Sequence, residues 1–386
     1  MAQLLFDITR LLDRGWQGRL PTGIDRVALE YLRHYGNQAR ALVRYRGRWL
    51  LPDGRDSRRL FEVLLAPDER FRAAVAWCMA RAWCSVTPRP VAGAILVNAG
   101  HSGLEHTSYG HRTAKLRLRP VFVLHDLIPI THPEYCRPGE ADRHRRRLTT
   151  MLSTAEGIVV NSSATLRELD ACAPPSGRRS ARCVVAPLGP ARLPAPKATR
   201  PLPAPYFVML GTIEPRKNHL MMLHVWRELA LALGPATPRL VLIGQRGWEC
   251  EQVVDLLERC EALRELVVEH PSCSDEDLAT WLHHAQALLF PSFAEGFGMP
   301  LLEAYRLGLP VIASELAVFR EIAADAPEYL DPLDGSGWKR AIREFARPDS
   351  GRRAAQVERI RSLSLPTWEQ HFEKADALLA SIAADA

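Results

Sequence analysis

The stretch that decides the fold is PSFAEGFGMPLLEA, residues 291–304, which follows an apolar run that predicts a buried strand. Glycine permits the positive φ of a tight turn, and proline is tolerated where a helix begins because its missing N–H would have no partner there. The pattern therefore predicts a strand–turn–helix junction. It places Glu295 at the strand end and Glu303 in the first turn of the helix.

The same turn predicts a ligand site. Gly296, Phe297 and Gly298 separate Glu295 from the helix, and backbone N–H groups in such a turn attract an anionic group. The carboxylates of Glu295 and Glu303 can accept hydrogen bonds from the hydroxyl groups of one ligand. The structural alternative is that Glu303 only complements the helix dipole and that Glu295 is a solvated turn residue.

This stretch resembles the signature of the family 4 retaining glycosyltransferases, an E-x7-E pair in the setting P-S-x-x-E-G-F-G-x-P-x-x-E-A. The resemblance implies an α/β fold of the GT-B type, with two doubly wound Rossmann-like domains facing across a cleft. It implies that Glu295 contacts the donor sugar and that Glu303 binds the ribose of the nucleotide. It also places the turn residues at the donor site: Gly296, Phe297 and Gly298.

A basic pair, Arg216 and Lys217, lies in the segment GTIEPRKN, which follows a short apolar strand. Positive charge is unfavourable beside the N-terminus of a helix, and a local rule broken in this way is typical of a functional site. A bound diphosphate would explain the pair, because arginine offers a bidentate fork and lysine a point charge. The alternative is a solvated basic turn.

The segment GTIEPRKN is similar to G-T-[LI]-E-P-R-K-N of the same family, in which the basic pair holds the donor diphosphate. The resemblance implies that Arg216 and Lys217 bind the donor and assist catalysis, with Gly211 beside them. Many family members carry arginine where this chain has Thr212, so more of the charge falls on the pair. Glu214 is predicted to orient Lys217.

Two segments of the first half are predicted to complete the site. His125 and Asp126 end an apolar strand and resemble the H-D segment of the family, whose histidine lies near the donor sugar and the acceptor. His125 is thus predicted in the active site, against the alternative of a structural histidine. Asp126 binds the acceptor or caps the following turn. Gly23 matches the family's glycine near the donor phosphates, Arg26 faces a phosphate or lies on the helix surface, and residues 9–22 form an insertion that could cover the acceptor.

The chain has 386 residues, which suits two α/β domains, and its strands alternate with helices as in a parallel sheet. Residues 1–190 are predicted to form an acceptor-side Rossmann-like domain. Residues 191–205 are proline-rich and predict a linker. Residues 206–365 form the predicted nucleotide-sugar-binding domain. The family resemblance implies that residues 366–386 form a C-terminal helix that crosses back to the first domain.

Two further segments admit competing interpretations. Asp275 and Asp277 resemble the D-x-D metal motif of the GT-A glycosyltransferases, but Ser274 and Asp277 also match a helix N-cap, which is the favoured interpretation. No metal site is therefore expected. Residues 244–247 and 268–274 follow strands and are predicted to line the pocket for the nucleotide base.

The formal charge of +6 reflects an excess of arginine, several of which cluster in residues 137–147. This cluster is either a solvated helix face or a contact with an anionic lipid surface or lipid-linked acceptor. No basic stripe interleaved with aromatic residues supports nucleic-acid binding. The N-terminus lacks a signal-peptide pattern and the eight cysteines form no C-x-x-C pair. These features predict a cytoplasmic location, at the inner face of the membrane if the cluster contacts lipid.

The sequence thus predicts a retaining, metal-independent hexosyltransferase that needs no cofactor. It would move a mannose-like sugar from a GDP-, UDP- or dTDP-linked donor to a glycan or lipid-linked acceptor in surface polysaccharide synthesis. The alternatives are a nucleotide-sugar 2-epimerase of the same fold, or a non-catalytic subunit that binds sugar nucleotides or glycans. No G-x-G-x-x-G, P-loop, H-E-x-x-H or G-x-S-x-G motif is present, which removes the main support for dehydrogenase, NTPase, zincin and serine-hydrolase functions. No motif specifies an oligomeric state.

Overall fold

The computed structural model describes residues 3–85, 91–173, 181–203 and 205–385. The chain divides into two compact units. Unit 1 comprises the chain up to Ile130, Gly139–Leu188 and the residues from Thr367 onward, and unit 2 comprises Thr131–Pro138 and Gly189–Pro366. Segment Thr131–Pro138 therefore belongs to unit 2 although unit 1 surrounds it in sequence, a division that the sequence did not predict.

Within the described residues, unit 1 is built on a seven-stranded sheet in the order β3-β2-β1-β4-β5-β6-β7. All neighbours are parallel except β2 and β3, which form an antiparallel pair at one edge. The strands are β1 (Leu4–Asp7), β2 (Ala39–Tyr45), β3 (Arg48–Leu50), β4 (Ile95–Asn98), β5 (Arg119–Leu124), β6 (Gly157–Val160) and β7 (Arg182–Val185).

The helices of this part of the chain are α1 (Thr9–Trp16), α2 (Gly23–Tyr35), α3 (Gly54–Leu65), α4 (Phe71–Cys84), α5 (Ser108–Lys115), α6 (Ile128–Thr131), α7 (Glu140–Thr154) and α8 (Ser163–Cys172). The predicted insertion, residues 9–22, begins with a helix, because α1 follows β1 after a single residue. The carboxylate of Asp7 accepts a hydrogen bond of 3.0 Å from the Thr9 N–H, which starts the helix.

Helices cover both faces of the unit 1 sheet, as expected for parallel strands that read as continuous apolar runs. The strands β1, β4 and β6 are buried at every residue. The core side chains come from these strands and from the helices that pack on them, and they include Leu5, Leu96, Phe122, Leu148, Met151, Ile158 and Leu169.

Unit 2 carries a six-stranded parallel sheet in the order β10-β9-β8-β11-β12-β13 among its described residues. The strands are β8 (Tyr206–Leu210), β9 (Arg239–Ile243), β10 (Val267–His270), β11 (Leu288–Phe290), β12 (Val311–Ser314) and β13 (Glu328–Leu330). The helices are α9 (His219–Leu233), α10 (Glu251–Arg259), α11 (Asp275–His284), α12 (Met299–Arg306), α13 (Ala317–Ala323), α14 (Gly335–Phe345) and α15 (Gly351–Ser362).

Two tryptophans anchor the unit 2 core. Trp226 on α9 and Trp338 on α14 are fully buried and belong to one apolar cluster with Phe207 of β8. Each indole N–H needs a partner when it is buried, and each donates to a backbone carbonyl at 2.9 Å, Trp226 to Pro238 and Trp338 to Asp331. Both buried indole N–H groups are therefore satisfied by backbone within unit 2.

The last helix, α16 (Trp368–Ala384), packs on unit 1. Thr367 begins it with a capping box. The ring of Phe372 lies 5.1 Å from that of Tyr31, and a Cβ on Gly157 would lie only 2.8 Å from Ile382. The absence of a side chain at Gly157 thus lets α16 approach β6 closely. No helix in the described part of the chain is long and apolar enough to cross a membrane.

Candidate functional site

Both motif loops leave the same edge of the unit 2 sheet. β8 and β11 are parallel neighbours, so the loops that follow Leu210 and Phe290 emerge side by side at the carboxyl ends of the strands. A backbone hydrogen bond of 2.8 Å from the Phe293 N–H to the Arg216 carbonyl joins the two loops. Open α/β sheets bind their ligands at this edge.

Glu295 lies between the two basic residues of the other loop. Its Oε2 is 2.8 Å from Nη1 of Arg216, and its Oε1 is 2.5 Å from Nζ of Lys217. The Ser292 hydroxyl donates to Oε1 of Glu295 at 2.7 Å, and Nη1 of Arg216 donates to the Ala294 carbonyl at 3.0 Å. The structure thus joins three residues that two separate motifs singled out.

The charges of this cluster decide which groups are ionised. Burial raises the pKa of Glu295, but the charges of Arg216 and Lys217 and two hydrogen bonds outweigh it, and the pKa falls to about 2. Burial, followed by the Arg216 charge, lowers the pKa of Lys217. The side chains of Glu295 and Lys217 are 7% and 9% exposed, whereas that of Arg216 is 22% exposed. Arg216 is therefore the more accessible cation of the pair.

Glu214 does not orient Lys217, so that prediction is wrong. Its Oε1 is 2.5 Å from Nε of Arg216, while Lys217 pairs with Glu295. Both basic residues lie on one 3-10 turn, Pro215–Lys217, whose tight winding sends successive side chains in different directions. Arg216 thus bridges the carboxylates of Glu214 and Glu295.

The turn before α12 requires its second glycine. Gly298 has a φ of +109°, and a Cβ there would lie 2.7 Å from a ring carbon of Phe319. Because the helix begins at Met299, Glu303 is its fifth residue, and the prediction that Glu303 lies in the first turn is wrong. Glu303 is buried, as is Phe297 within the turn.

Gly211 and Gly244 end the neighbouring strands β8 and β9 at the same edge. A Cβ on Gly244 would lie 2.0 Å from the carbonyl oxygen of Gly211. The backbones after β8 and β9 can therefore approach this closely only because residue 244 is glycine. In the segment predicted to line the base pocket, Arg246 is held by Glu258 at 2.5 Å and by Glu269 at 2.8 Å.

An aromatic contact beside Glu295 has no signal in the sequence. Within unit 2, the ring of Tyr135 stacks on that of Phe293 with centroids 5.3 Å apart. The indole N–H of Trp248 donates to the Tyr135 carbonyl at 3.2 Å, and the guanidinium of Arg137 lies 5.1 Å from the Trp248 ring centroid. The sequence could not predict these contacts because the contacting residues lie far apart in the chain.

His125 follows β5 in unit 1, where it is buried. Its Nε2 lies 2.7 Å from the Ala99 carbonyl, which can only accept, so Nε2 carries the proton and Nδ1 keeps a lone pair. Burial lowers the pKa of His125, and the ring is neutral at neutral pH. Asp126 accepts a hydrogen bond of 3.2 Å from the Ile128 N–H, which confirms its capping of the next turn.

Two more buried histidines lie beside His125 and were missed. The ring centroids of His101 and His125 are 4.9 Å apart, and those of His101 and His144 are 6.2 Å apart. Burial lowers the pKa of both. His101 has a φ of +56° at the carboxyl edge of the sheet, a conformation that is typical of functional loops. The sequence offered one signal for His101, since Gly100 and His101 follow closely after β4.

Asp25 holds two arginines at the same edge of unit 1. Its Oδ1 is 2.7 Å from Nε of Arg10, and its Oδ2 is 2.7 Å from Nε of Arg14. Asp25 is also the third residue of α2 and forms a capping box with Thr22. The T-x-x-D spacing could have revealed the cap, but nothing local could have revealed the arginines.

The two remaining predicted site residues lie at the start of α2: Gly23, predicted near the donor phosphates, and Arg26, predicted on the acceptor side. Gly23 is its first residue, and a Cβ there would meet no atom within 4 Å, so packing does not require glycine. Arg26 is partly buried in the first turn, and its N–H donates to the Thr22 carbonyl at 2.9 Å.

The capping interpretation of the D-x-D-like segment is confirmed. Ser274 is the N-cap of α11 and accepts a hydrogen bond of 3.1 Å from the Asp277 N–H. The Asp277 carboxylate lies 2.9 Å from Nζ of Lys197, and Asp275 lies in the first turn, where an acidic residue complements the helix dipole.

The arginine cluster of residues 137–147 is largely ion-paired. On α7, Arg143 and Arg147 share Glu105 at 2.6 and 3.4 Å. Arg145 pairs with Asp142 at 2.8 Å. Burial raises the pKa of Glu105, but these arginines and a backbone hydrogen bond overcome it, and the pKa falls to about 2. This arrangement favours a solvated, internally neutralised helix face.

The fold is that of the GT-B glycosyltransferases. The structure of Anabaena Alr3699/HepE in complex with UDP and glucose matches with a TM-score of 0.68 at 14% identity, covering 99% of this chain and 100% of that one. Sucrose-phosphate synthase from Thermosynechococcus elongatus matches with a TM-score of 0.59 at 19% identity, covering 82% and 78%. At these identities the likeness concerns the fold alone, and it confirms the predicted fold class.

The family model described as Glycosyl transferases group 1 matches residues 195–354, a range that contains both motif loops and the Glu295 cluster. The matched part of unit 2 is thus similar to the group 1 glycosyl transferases, the family 4 type that the motifs predicted.

Among curated relatives, the serotype-specific mannosyltransferase WbdA of Escherichia coli is 28% identical over 285 residues, covering 65% of this chain and 32% of the relative. The O-antigen chain mannosyltransferase B of the same species is 34% identical over 165 residues, covering 42% of each chain. This chain thus spans about one third of the length of the first of these relatives.

Proposed function

We propose that the protein transfers a sugar from a nucleotide diphospho-sugar to a hydroxyl group of a glycan or glycolipid, in the synthesis of a bacterial surface polysaccharide. The observation that carries this proposal is the cluster of Arg216, Lys217 and Glu295 at the carboxyl edge of the unit 2 sheet. The family of unit 2 and its mannosyltransferase relatives support it.

The basic pair supplies what a departing diphosphate needs. Negative charge grows on the leaving group in the transition state, and fixed cations in a partly buried site stabilise it. We place Arg216 against the diphosphate because its side chain is the more exposed of the two cations. With this charge supplied by side chains, the proposed reaction needs neither a metal nor another cofactor.

The carboxylates serve the donor in this proposal. Glu295 is ionised and held in place by its two cations, so it can accept hydrogen bonds from sugar hydroxyls. Glu303 would bind the ribose, and the turn that contains Phe297 and Gly298 would lie against the donor. The sugar keeps its anomeric configuration through displacement on one face, in which the leaving phosphate takes the proton of the acceptor hydroxyl.

The acceptor half is proposed for the carboxyl edge of unit 1. His125 is neutral and its Nδ1 has a lone pair, which suits orientation of a hydroxyl group. Arg26 and Asp126 are further candidates for contact with the acceptor. A lipid-linked acceptor would place the protein at the inner face of the cell membrane.

Mannose is the proposed donor sugar because the relatives are named mannosyltransferases. The decisive experiment incubates the full chain with GDP-mannose, UDP-glucose, UDP-N-acetylglucosamine and a dTDP-linked hexose, and measures the released nucleoside diphosphate with and without a glycan acceptor. We expect acceptor-dependent release with GDP-mannose. Absence of release with every donor contradicts the proposal, and a 2-epimer formed from UDP-N-acetylglucosamine without acceptor identifies an epimerase.

A further inference from the structure

Helix α4 has an apolar face on each side. Its inward face is buried through Phe71, Ala74, Val75 and Cys78. Its outward face is exposed, yet it carries Ala73, Ala76, Trp77, Ala80, Trp83 and Cys84. An apolar helix face is normally covered, by protein or by lipid. Among the described residues, nothing covers the outward face of α4.

The two faces are separated by arginines. At about 100° per residue, the exposed apolar side chains span an arc of roughly 120° that is centred near Ala80. Arg72 borders one side of this arc and Arg81 the other, and both are exposed. The helix therefore presents an exposed apolar stripe between two cations, and arginines at the border of such a stripe can reach lipid headgroups while their stems lie along apolar surface.

Aromatic side chains extend the stripe at both ends. Near the start of α4, the guanidinium of Arg72 lies 5.8 Å from the ring centroid of Trp16, which is 46% exposed. Near its end, the ring of Trp83 lies 6.1 Å from that of Tyr45, and Arg48 lies 4.2 Å from the Trp83 ring. We call α4 with Trp16 and Tyr45 the α4 surface.

The charge beside this surface is positive. Helices α3 and α4 together carry five arginines and two acidic residues. A cavity of about 610 Å³ separates Trp77, which is 58% exposed, from an arginine row on α3: Arg55, Arg58 and Arg59. Arg81 is bound to Asp56 at 2.9 Å and to Asp53 at 3.3 Å, and these ion pairs tie α4 to the start of α3.

We propose that the α4 surface docks on an anionic lipid membrane, with Trp77 and Trp83 at the depth of the headgroups and the arginine row against lipid phosphates. Tryptophan and arginine together favour an anionic membrane as the partner. The indole ring prefers the membrane interface, and the arginine guanidinium forms bidentate hydrogen bonds with phosphate. The cluster on α7 is the weaker candidate, since Arg143 and Arg147 already share Glu105.

The test measures co-sedimentation of the full chain with vesicles of phosphatidylcholine alone and with about 30% phosphatidylglycerol. We expect binding only to the anionic vesicles. Trp77→Gln and Trp83→Gln should each lower the partition coefficient about tenfold, because each removes an aromatic side chain from the interface. The triple variant Arg55→Gln, Arg58→Gln, Arg59→Gln should lower it about 100-fold.

Two matched controls separate this surface from general effects. Leu231→Gln removes an apolar side chain that is 79% exposed in unit 2, and it should leave vesicle binding unchanged. The double variant Arg145→Gln, Arg146→Gln removes two charges from α7. It should lower vesicle binding less than the triple variant of the arginine row does, because only the overall charge changes. The thermal unfolding midpoint of each variant reports whether it is folded.

Three outcomes overturn the proposal. They are absence of binding to anionic vesicles, unchanged binding of both tryptophan variants, and a loss caused by the α7 variant as large as that caused by the arginine row. Dimerisation that Trp77→Gln abolishes, without vesicle binding, would assign the surface to a second copy of the chain. Because vesicle binding is measured without any sugar, its failure is distinct from failure of the proposed transfer reaction.

Discussion

Glu295 is enclosed by protein to a degree that, without counter-charges, would favour its protonated form. Arg216 and Lys217 each approach one of its oxygens, and together they keep it ionised. The same contacts hold both cations at the strand edge while no anion is bound. A diphosphate arriving there would replace part of this pairing, so the cluster is ordered before the donor binds and costs little to arrange.

Replacing Lys217 tests the role of this cluster. Lys217→Gln removes one of the two cations proposed to stabilise the leaving group, and we expect kcat/KM to fall by about 10²–10³. The variant should remain folded because Arg216 and Ser292 still hold Glu295. The measurement is initial-rate kinetics of nucleoside diphosphate release.

Lys197→Gln is the matched control, since Lys197 forms its ion pair with Asp277 on the exposed start of α11. We expect it to retain the kinetics of the parent protein. If Lys217→Gln retained them as well, the basic pair would have no part in catalysis.

Gly298 tests the geometry of the turn. Gly298→Ala must adopt a positive φ and also bring a Cβ within 2.7 Å of Phe319, whereas Gly308→Ala has a φ of +71° but no atom within 4 Å. We expect a loss in the free energy of unfolding of about 1 kcal/mol for Gly308→Ala and about 2–4 kcal/mol for Gly298→Ala. Urea unfolding, monitored by circular dichroism, measures the free energy of unfolding of both variants. Equal losses in the two variants would show that the Phe319 ring moves aside without an energetic penalty.

At the scale of the elements, α16 contributes more than apolar contact to unit 1. His371 is fully buried, and its ring nitrogens lie 2.9 Å from the Ala186 carbonyl and 2.9 Å from the Tyr31 hydroxyl. Tyr35 donates to Asp376 at 2.7 Å. Burial, which outweighs two backbone hydrogen bonds, lowers the pKa of His371 to about 4. The helix is thus attached through an imidazole that must stay neutral.

This attachment predicts a pH dependence of stability. The unfolded chain binds a proton at His371 below pH 6.5, and the folded chain does so only below about pH 4, so stability falls as the pH drops through this window. His371 accounts for about 3 kcal/mol of that loss by pH 4. Thermal unfolding midpoints between pH 7 and pH 4 measure the slope.

His371→Gln should show a shallower slope than the parent protein, because the glutamine side chain does not titrate. His106→Gln, at an exposed histidine, is the matched control and should keep the slope of the parent protein. A parent slope that persists in His371→Gln would show that other groups carry it.

At the scale of the whole molecule, each unit has a core of its own, and the chain passes between them more than once. Segment Thr131–Pro138 belongs to unit 2, and the chain returns to unit 1 at Gly139 and again at Thr367. Apart from Gly23, the proposed donor contacts, from Gly211 to Glu303, lie in unit 2. Donor binding should therefore stabilise that unit first.

A saturating nucleoside diphosphate tests this expectation by calorimetry. We expect two unfolding transitions, and at 100 times the dissociation constant the ligand adds about 2.7 kcal/mol to the unit that binds it. For a unit of this size the transition should rise by about 5–10 °C. Gly298→Ala identifies the unit 2 transition by lowering it. A shift confined to the other transition would place the nucleotide in unit 1.

What the sequence determined by itself was local. Four features depend on residues only a few positions apart: the turn 291–304, the basic pair after β8, and the caps at Asp126 and Ser274. Glycine, proline and capping side chains in the sequence therefore predicted them. The alternation of strands and helices predicted two parallel sheets for the same reason. Pattern and propensity act over one turn or one strand.

Only the tertiary structure decided the partners. Glu214 pairs with Arg216, and Tyr135 stacks on Phe293. His101 lies beside His125, and the outward face of α4 is exposed. These contacts join residues that are distant in the chain or, for Glu214, depend on the direction in which a tight turn sends each side chain. Packing of whole elements determines both, and no short stretch of sequence contains that information.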